Sequence, residues 1–420
     1  MYKIFNSFLK PQLTKLKTDF QLFEVLNKSI PVLMGIFIFF NPFPHTTSIK
    51  EICFYLSVVI VLFVLFFKKN KFSLKTPLFL PFGLLLFWAM VGIFFALNIE
   101  HTVHDVYSHL LRYIALYCIL INFFQSRKRL IALSWIFIIS STVFSIGGLF
   151  YSYVKFSWDL SARMIYLNQR PFNVIGVIAG FAFFLTLNHI RIESHVYRRV
   201  FLVMCLFPLF AISVTTYERS IFIGMVLAGI VFLSNHKTKM LIFLGVMVLV
   251  FALTPIRHRF KPRNFFHNIR IGANYITLRI IKDYPITGIG FGIQPYENMA
   301  REINENKTPK KYKQRKVIGH PHNIVLDITV RLGVVGLVIF FYIIFVFFKM
   351  CRECIKKGQD DFIKSWGHCM AAAFVIFFVI GFFQPIFSHA PEVILCSIFA
   401  IVTILWRLNN DMINDGKRLS

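Results

Sequence analysis

Charge is what this sequence has little of. Only 15% of its 420 residues are Asp, Glu, Lys or Arg, and 57% are apolar, whereas soluble domains are roughly 25% charged. That balance excludes a single soluble domain and predicts a polytopic membrane protein. Acidic residues are scarcest, 19 against 46 lysines and arginines, giving a formal charge of +27. Useful cysteine patterns are also missing. Cys53, Cys118, Cys205 and Cys396 lie inside apolar runs, as small hydrophobes do. Cys351 and Cys354 form a CxxC without a second ligand pair or a βαβ pattern, so neither zinc nor thiol redox chemistry is expected there. The first 28 residues hold scattered lysines and Pro11 but no compact apolar segment ending at a small-residue cleavage site. No cleavable signal is expected, and the first span should direct insertion. Solenoid-type repeats are not evident.

What is present is a series of apolar runs, each long enough to cross a hydrocarbon core of roughly 30 Å at about 1.5 Å per residue. They predict an all-α fold, a polytopic transmembrane helix bundle of about twelve spans, near 27–44, 51–67, 77–97, 105–124, 130–152, 171–190, 199–216, 220–234, 240–256, 323–349, 365–387 and 391–407. The chain thus divides into 1–256, an N-terminal segment with nine spans; 257–321, a long loop; and 322–420, three spans and a tail. Lysine and arginine mark alternate turns: KKNKFSLK (68–75), SRKR (126–129), HIRIESHVYRR (189–199), NHKTK (235–239) and KMCRECIKK (349–357). Short basic loops stay in the cytoplasm, so both termini are expected there.

The long loop then lies outside although it is basic, which its length permits because the bias fades beyond about 60 residues. On that face positive charge suits anionic lipids and lipid diphosphates; nucleic acid is not an expected partner. Within the loop, ANYITLRIIKDYPITGIGFG (273–292) reads as a short amphipathic helix ending at Asp283-Tyr284-Pro285, then a glycine-rich turn. GIGFG lacks the strand and crossover helix of a dinucleotide fingerprint, so a tight turn is the better reading. ENKTPKKYKQRK (305–316) is a solvated basic stretch.

Polar groups are expensive inside a membrane, yet GHPHNIVLDITVRLGVVG (319–336) places several at the mouth of, and within, the tenth span. His322-Asn323 opens that span, Arg219 in TTYERSIF occupies the tight outer turn between spans seven and eight, and Arg270 begins the helix of the long loop. All three converge on the outer face. A histidine at a helix mouth can be merely interfacial, and an arginine near a span end ordinarily snorkels to headgroups. That alternative is weakest for Arg219, which sits on a short turn where arginine is disfavoured. Asp327 and Arg331 follow Asn323 at four and eight residues, on one helical face; they form a buried ion pair, or Asp327 contacts substrate. Lys155, Arg163 and Arg170, after the fifth span, suit either a phosphate-bearing ligand or lipid headgroups. His320 is separated from the helix by Pro321 and is less suited to be a base. The outer carboxylates Asp105, Asp159, Glu218, Asp283, Glu297 and Glu392 are scattered without a DxD-like pair, so no metal or other cofactor is expected.

The pattern His-[Asn/Ser/Gln]-x9-Gly-x-x-Gly is met by His322-Asn323, nine residues, Gly333 and Gly336. It resembles the signature of the O-antigen ligases, within the wider O-antigen ligase and polymerase superfamily. The likeness extends to length, span number, the long loop ahead of the motif, Arg219 in TTYER, and Arg270 fifteen residues before Pro285. An aromatic often found four residues after that arginine is Asn274 here, with Tyr275 beside it. The resemblance implies a GT-C-like bundle in a bacterial inner membrane with its site on the periplasmic side. It implies metal-independent transfer of a polysaccharide from undecaprenyl diphosphate to a sugar hydroxyl of lipid A-core, in lipopolysaccharide biosynthesis. Arg219 and Arg270 would hold the diphosphate and stabilise the departing charge, His322 would be the general base, and Asn323 would orient or bind substrate. An O-antigen polymerase and a protein O-oligosaccharyltransferase use the same type of donor. A transporter is the alternative of another class, which would favour midplane charges and inverted repeats.

Overall fold

The computed structural model describes residues 23–67, 72–155, 172–260, 269–292, 294–314, 317, 319–385, 387 and 389–419, and every regular element among them is helical. The first nine helices are α1 (Phe23–Phe40), α2 (Thr47–Phe66), α3 (Phe79–Ile93), α4 (Ile99–Phe123), α5 (Arg127–Lys155), α6 (Phe172–Ile192), α7 (Val196–Thr215), α8 (Arg219–Phe232) and α9 (Lys237–Leu253). The long loop carries α10 (Ile256–Arg259), α11 (Ile269–Asp283) and α12 (Gln294–Asn306), followed by α13 (Ile324–Lys357), α14 (Asp361–Phe383) and α15 (His389–Leu419).

All twelve expected spans are therefore helical. Among the described residues nine are long and apolar enough to cross a membrane, while α3, α8 and α9 are shorter apolar helices of 15, 14 and 17 residues. Several helices outrun their apolar stretches. α13 continues to Lys356 and Lys357, whose charges favour a helix C-terminus in water. α12 was not foreseen; its few apolar positions, Tyr296, Ala300 and Ile303, share a small core with α11 and with Val330 of α13.

Burial orders the bundle. In α6, α14 and α15 at least 72% of the apolar window is buried, against 28–33% in α1, α2 and α7, so the former trio is central and the latter peripheral. Gly180 of α6 and Gly224 of α8 both face Ile376 of α14, and absent side chains there let three helices approach closely. Exposed Val59, Phe66, Leu62 and Phe207 on the outer helices make an apolar surface suited to lipid.

Cross-links define two ends. At one, Arg127 pairs with Asp360, and the Arg407 guanidinium donates to Ser73 and Lys75 carbonyls, joining three of the basic turns. At the other, Asn41 Nδ2 donates to the Ala390 carbonyl at 3.1 Å and Leu97 N–H to the Ile289 carbonyl at 3.1 Å, which places the long loop opposite the basic turns.

α13 is broken at Gly333, with φ 66° and ψ −171°. Unbroken, Val334 N–H would donate to the Val330 carbonyl. Instead Val334 N–H donates to the Pro285 carbonyl and Ile289 N–H to the Val330 carbonyl, both at 2.9 Å, while Trp88 Nε1 donates to the Leu332 carbonyl at 2.8 Å. The backbone groups freed by the kink are thereby paired, as a membrane interior requires. A methyl group at Gly333 would overlap the Ile286 carbonyl, and one at Gly288 (φ 68°) would lie 2.5 Å from the Arg331 carbonyl carbon. Two glycines three apart in an apolar run would ordinarily suit close helix packing, but what approaches Gly333 is loop backbone, because the helix turns away there. The GIGFG segment is the tight turn expected, and it seats on α13.

Candidate active site

Three local devices position the predicted residues. Thr216 Oγ1 donates to the Ser213 carbonyl at 2.8 Å and Tyr217 takes a left-handed conformation, φ 49°. A non-glycine residue held there costs on the order of 1–3 kcal/mol and tends to mark functional sites. It shortens the turn after α7, making Arg219 the first residue of α8. Asn323 caps α13, its Oδ1 accepting from the N–H groups of Val325 and Leu326 at 2.9 and 3.2 Å, a contact usually contributing about 1 kcal/mol. That cap fixes His322 just ahead of the first turn. Arg270 opens α11, which is held by a small core of Ile276, Ile280, Ile289, Tyr296, Ile303 and Val330; Val330 belongs to α13, so this core ties loop to bundle.

These side chains meet. One cavity of about 220 Å³ is lined by Arg219, Ser220, Arg270, Asn274, His322 and Asn323, with Phe260, Phe382 and Phe383 as its apolar wall and Glu218 as its one carboxylate among the described residues. Burial first, then repulsion by Arg219, lowers the Arg270 guanidinium from its ordinary value, but an arginine remains charged. Arg259 of α10 adds its field to that of Arg219. His322 is pushed down to about 4, by burial first and then by Arg270, against an opposing hydrogen bond from Gln384 and with a smaller push from His320. It is therefore neutral near pH 7. Ser220 Oγ, Asn274 Oδ1 and His322 Nδ1 are buried on this wall without a hydrogen-bond partner among the described residues. Each such group ordinarily costs about 1–3 kcal/mol, which marks the cavity as a place for a polar ligand. A positively charged cavity holding an uncharged imidazole can bind an anion and accept a proton beside it.

Other predicted residues lie elsewhere. Asp327 is buried and accepts from Arg331 Nε at 2.9 Å, so the expected ion pair is present, and neither residue lines this cavity. Lys155, at the end of α5, lies over the Tyr151 ring at 5.7 Å, also away from it. Arg163 and Arg170 fall outside the described residues. His320 is lowered from its ordinary value, chiefly by burial, and is not on the wall. Asn274 stands where an aromatic was looked for, one turn after Arg270, and faces the cavity; Tyr275 instead stacks on Tyr312, with centroids 4.9 Å apart. Sequence reasoning missed Ser220, Gln384 and Arg259. Four-residue spacing from Arg270 could have flagged Asn274, but no sequence signal singles out Gln384.

Residues 156–341 match the family model described as O-antigen ligase. A protein of Rickettsia felis named "Putative polysaccharide ligase" is 26% identical over 202 residues, covering 44% of this chain and 46% of that protein. The alignment thus takes in less than half of that relative. The matched region contains Arg219, Arg270, His322, Asn323 and both motif glycines. What the comparisons show is a likeness to the O-antigen ligase family over residues 156–341, the part of the chain that bears the cavity residues.

Proposed function

We propose that this protein is an O-antigen ligase that moves a polysaccharide from undecaprenyl diphosphate onto a sugar hydroxyl of lipid A-core. The observation that carries the reading is the meeting of Arg219, Arg270 and His322 on one cavity. The two guanidiniums bind the donor diphosphate and stabilise the charge that grows as it leaves. The acceptor hydroxyl oxygen attacks the anomeric carbon, the bond from that carbon to the phosphate oxygen breaks, and its electron pair stays on undecaprenyl diphosphate. The hydroxyl proton passes to His322, whose Nδ1 is buried without a partner among the described residues. Gln384 holds the ring, Asn323 holds the helix end, and Asn274 and Ser220 offer polar contacts to phosphate or sugar. Exposed Phe382 and Phe383 give the prenyl chain an apolar approach.

A base at about 4 is neutral but weak. The bound diphosphate cancels much of the field of Arg270, raising the imidazole toward a more effective value when the donor is in place. This reading requires no metal in the cavity. It places the long loop in the periplasm, the basic turns and both termini in the cytoplasm, and the bundle in a bacterial inner membrane, following the distribution of lysine and arginine.

Reconstituted protein, given undecaprenyl-diphosphate-linked polysaccharide and lipid A-core, should yield a product whose mass is their sum less undecaprenyl diphosphate. A lengthened lipid-linked glycan would instead indicate a polymerase, and movement of intact donor across the bilayer a transporter.

A further inference from the structure

On the far side of the first half of α13 lies a second cavity, of about 120 Å³, whose wall includes Arg331, His109 and Glu392. Beside it two helices bring three donor groups together. His109 belongs to α4, His389 is the first residue of α15 and Glu392 follows one turn later; their donor atoms lie within 4.8 Å of one another. His109 Nδ1 is 3.0 and 2.9 Å from the two Glu392 oxygens. The two imidazoles stack with centroids 4.8 Å apart. Glu392 is buried, whereas His389 is exposed at the end of the bundle that carries the Arg219–His322 cavity.

Two further features suit a metal. Val106–Leu111 winds as a π-helix with His109 inside it, a strained geometry that recurs where a functional side chain must be re-aimed. The Tyr113 hydroxyl is 3.0 Å from His389 Nδ1, the kind of outer contact that sets the tautomer and orientation of a ligating histidine. Arg331, the cation on the shared wall, is already engaged by Asp327 at 2.9 Å, which leaves the charge of Glu392 to be met from the His109 side. Two imidazoles and one carboxylate form a donor set suited to zinc, with room for a fourth ligand from solvent.

We propose that His109, His389 and Glu392 form a zinc site that clasps α4 to α15. None of the three lines the Arg219–His322 cavity, so the site is independent of the ligase reading and its ion holds helices together without entering the transfer step.

Full-length protein in detergent, stripped with EDTA and then titrated with zinc against a chromogenic chelator, tests this. Wild type should take up one zinc per chain and melt at a higher temperature when loaded. His389→Ala and Glu392→Gln should weaken binding by about 100-fold or more and abolish the thermal shift, and Tyr113→Phe should weaken it by about tenfold. Without zinc the exposed His389 ring contacts Tyr113 and His109, so stripped His389→Ala should melt cooperatively and only slightly below stripped wild type, which separates lost binding from misfolding. Zinc uptake that persists in both ligand variants would mean adventitious binding at other histidines and would overturn the proposal. So would a wild type that binds no more zinc than they do.

Discussion

Replacing Arg270 with alanine should move the acid limb of the transfer reaction to higher pH. His322 sits at about 4 instead of 6.5, first because it is buried and second because Arg270 repels its protonated form. A base with a lowered pKa is competent above that value and lost only as pH falls through it, so the kcat/KM profile of the wild type for donor should hold to about pH 5 and fall near 4. Alanine at 270 removes the second cause and leaves the first, so its limb should settle between about 4 and 6.5. Arg270→Lys keeps the charge and should hold the limb close to wild type, even as it loses the bidentate grip on phosphate. The kcat profile reports the donor complex; since diphosphate offsets the arginine field, its limb should lie above that of kcat/KM in the same wild-type protein. The assay is initial-rate ligation in proteoliposomes buffered identically on both faces. A limb that stays in place in Arg270→Ala while donor affinity falls, or that survives in His322→Ala, would refute the assignment of His322 as the titrating base.

Other outcomes follow from the same geometry. His322→Ala should spare donor affinity and depress single-turnover transfer by roughly 10²–10⁴-fold, whereas Arg219→Ala should weaken both, with partial rescue by lysine; normal turnover in a His322→Ala protein that no longer binds donor would make the histidine a phosphate ligand. Gly333→Ala forces a side chain into a positive-φ, extended-ψ conformation that essentially only glycine adopts, about 1–3 kcal/mol, and drives a methyl group into the Ile286 carbonyl, so melting temperature and transfer should both drop; unchanged values would contradict the seat of the loop on α13. Cysteine labels at Lys307 should react from the periplasm and those at Lys237 and Asp360 from the cytoplasm, and a cytoplasmic Lys307 would remove the proposed site.

The spans were legible because length and apolarity alone decide what can cross a bilayer. Arg219, Arg270 and His322 were legible as a group because alternation of basic turns puts all three at one end of the bundle, whatever the packing. The role of Gly333 was not. Gly-x-x-Gly in an apolar run reads as small-residue packing, and only the approach of Pro285 and Ile289, more than forty residues earlier, shows that the helix breaks there. The meeting of His109 with Glu392 was hidden for a similar reason: the two are 283 positions apart, and a search for paired carboxylates passes over histidines. α12 escaped notice because its apolar positions are few and interrupted by polar residues, so the run-length criterion for spans has no purchase on it.

The joint between the 285–289 turn and the broken helix also bears on how such a site can change over time. It is made of peptide N–H and carbonyl groups, which substitution does not alter, and it sets the register between the segment bearing Arg270 and the segment bearing His322. Side chains around it can be exchanged widely while the separation of guanidinium and imidazole is kept, provided that the positions passing through left-handed conformations remain glycine. Cavity geometry held by main chain in this way is compatible with the low identity, 26%, between this chain and its Rickettsia relative.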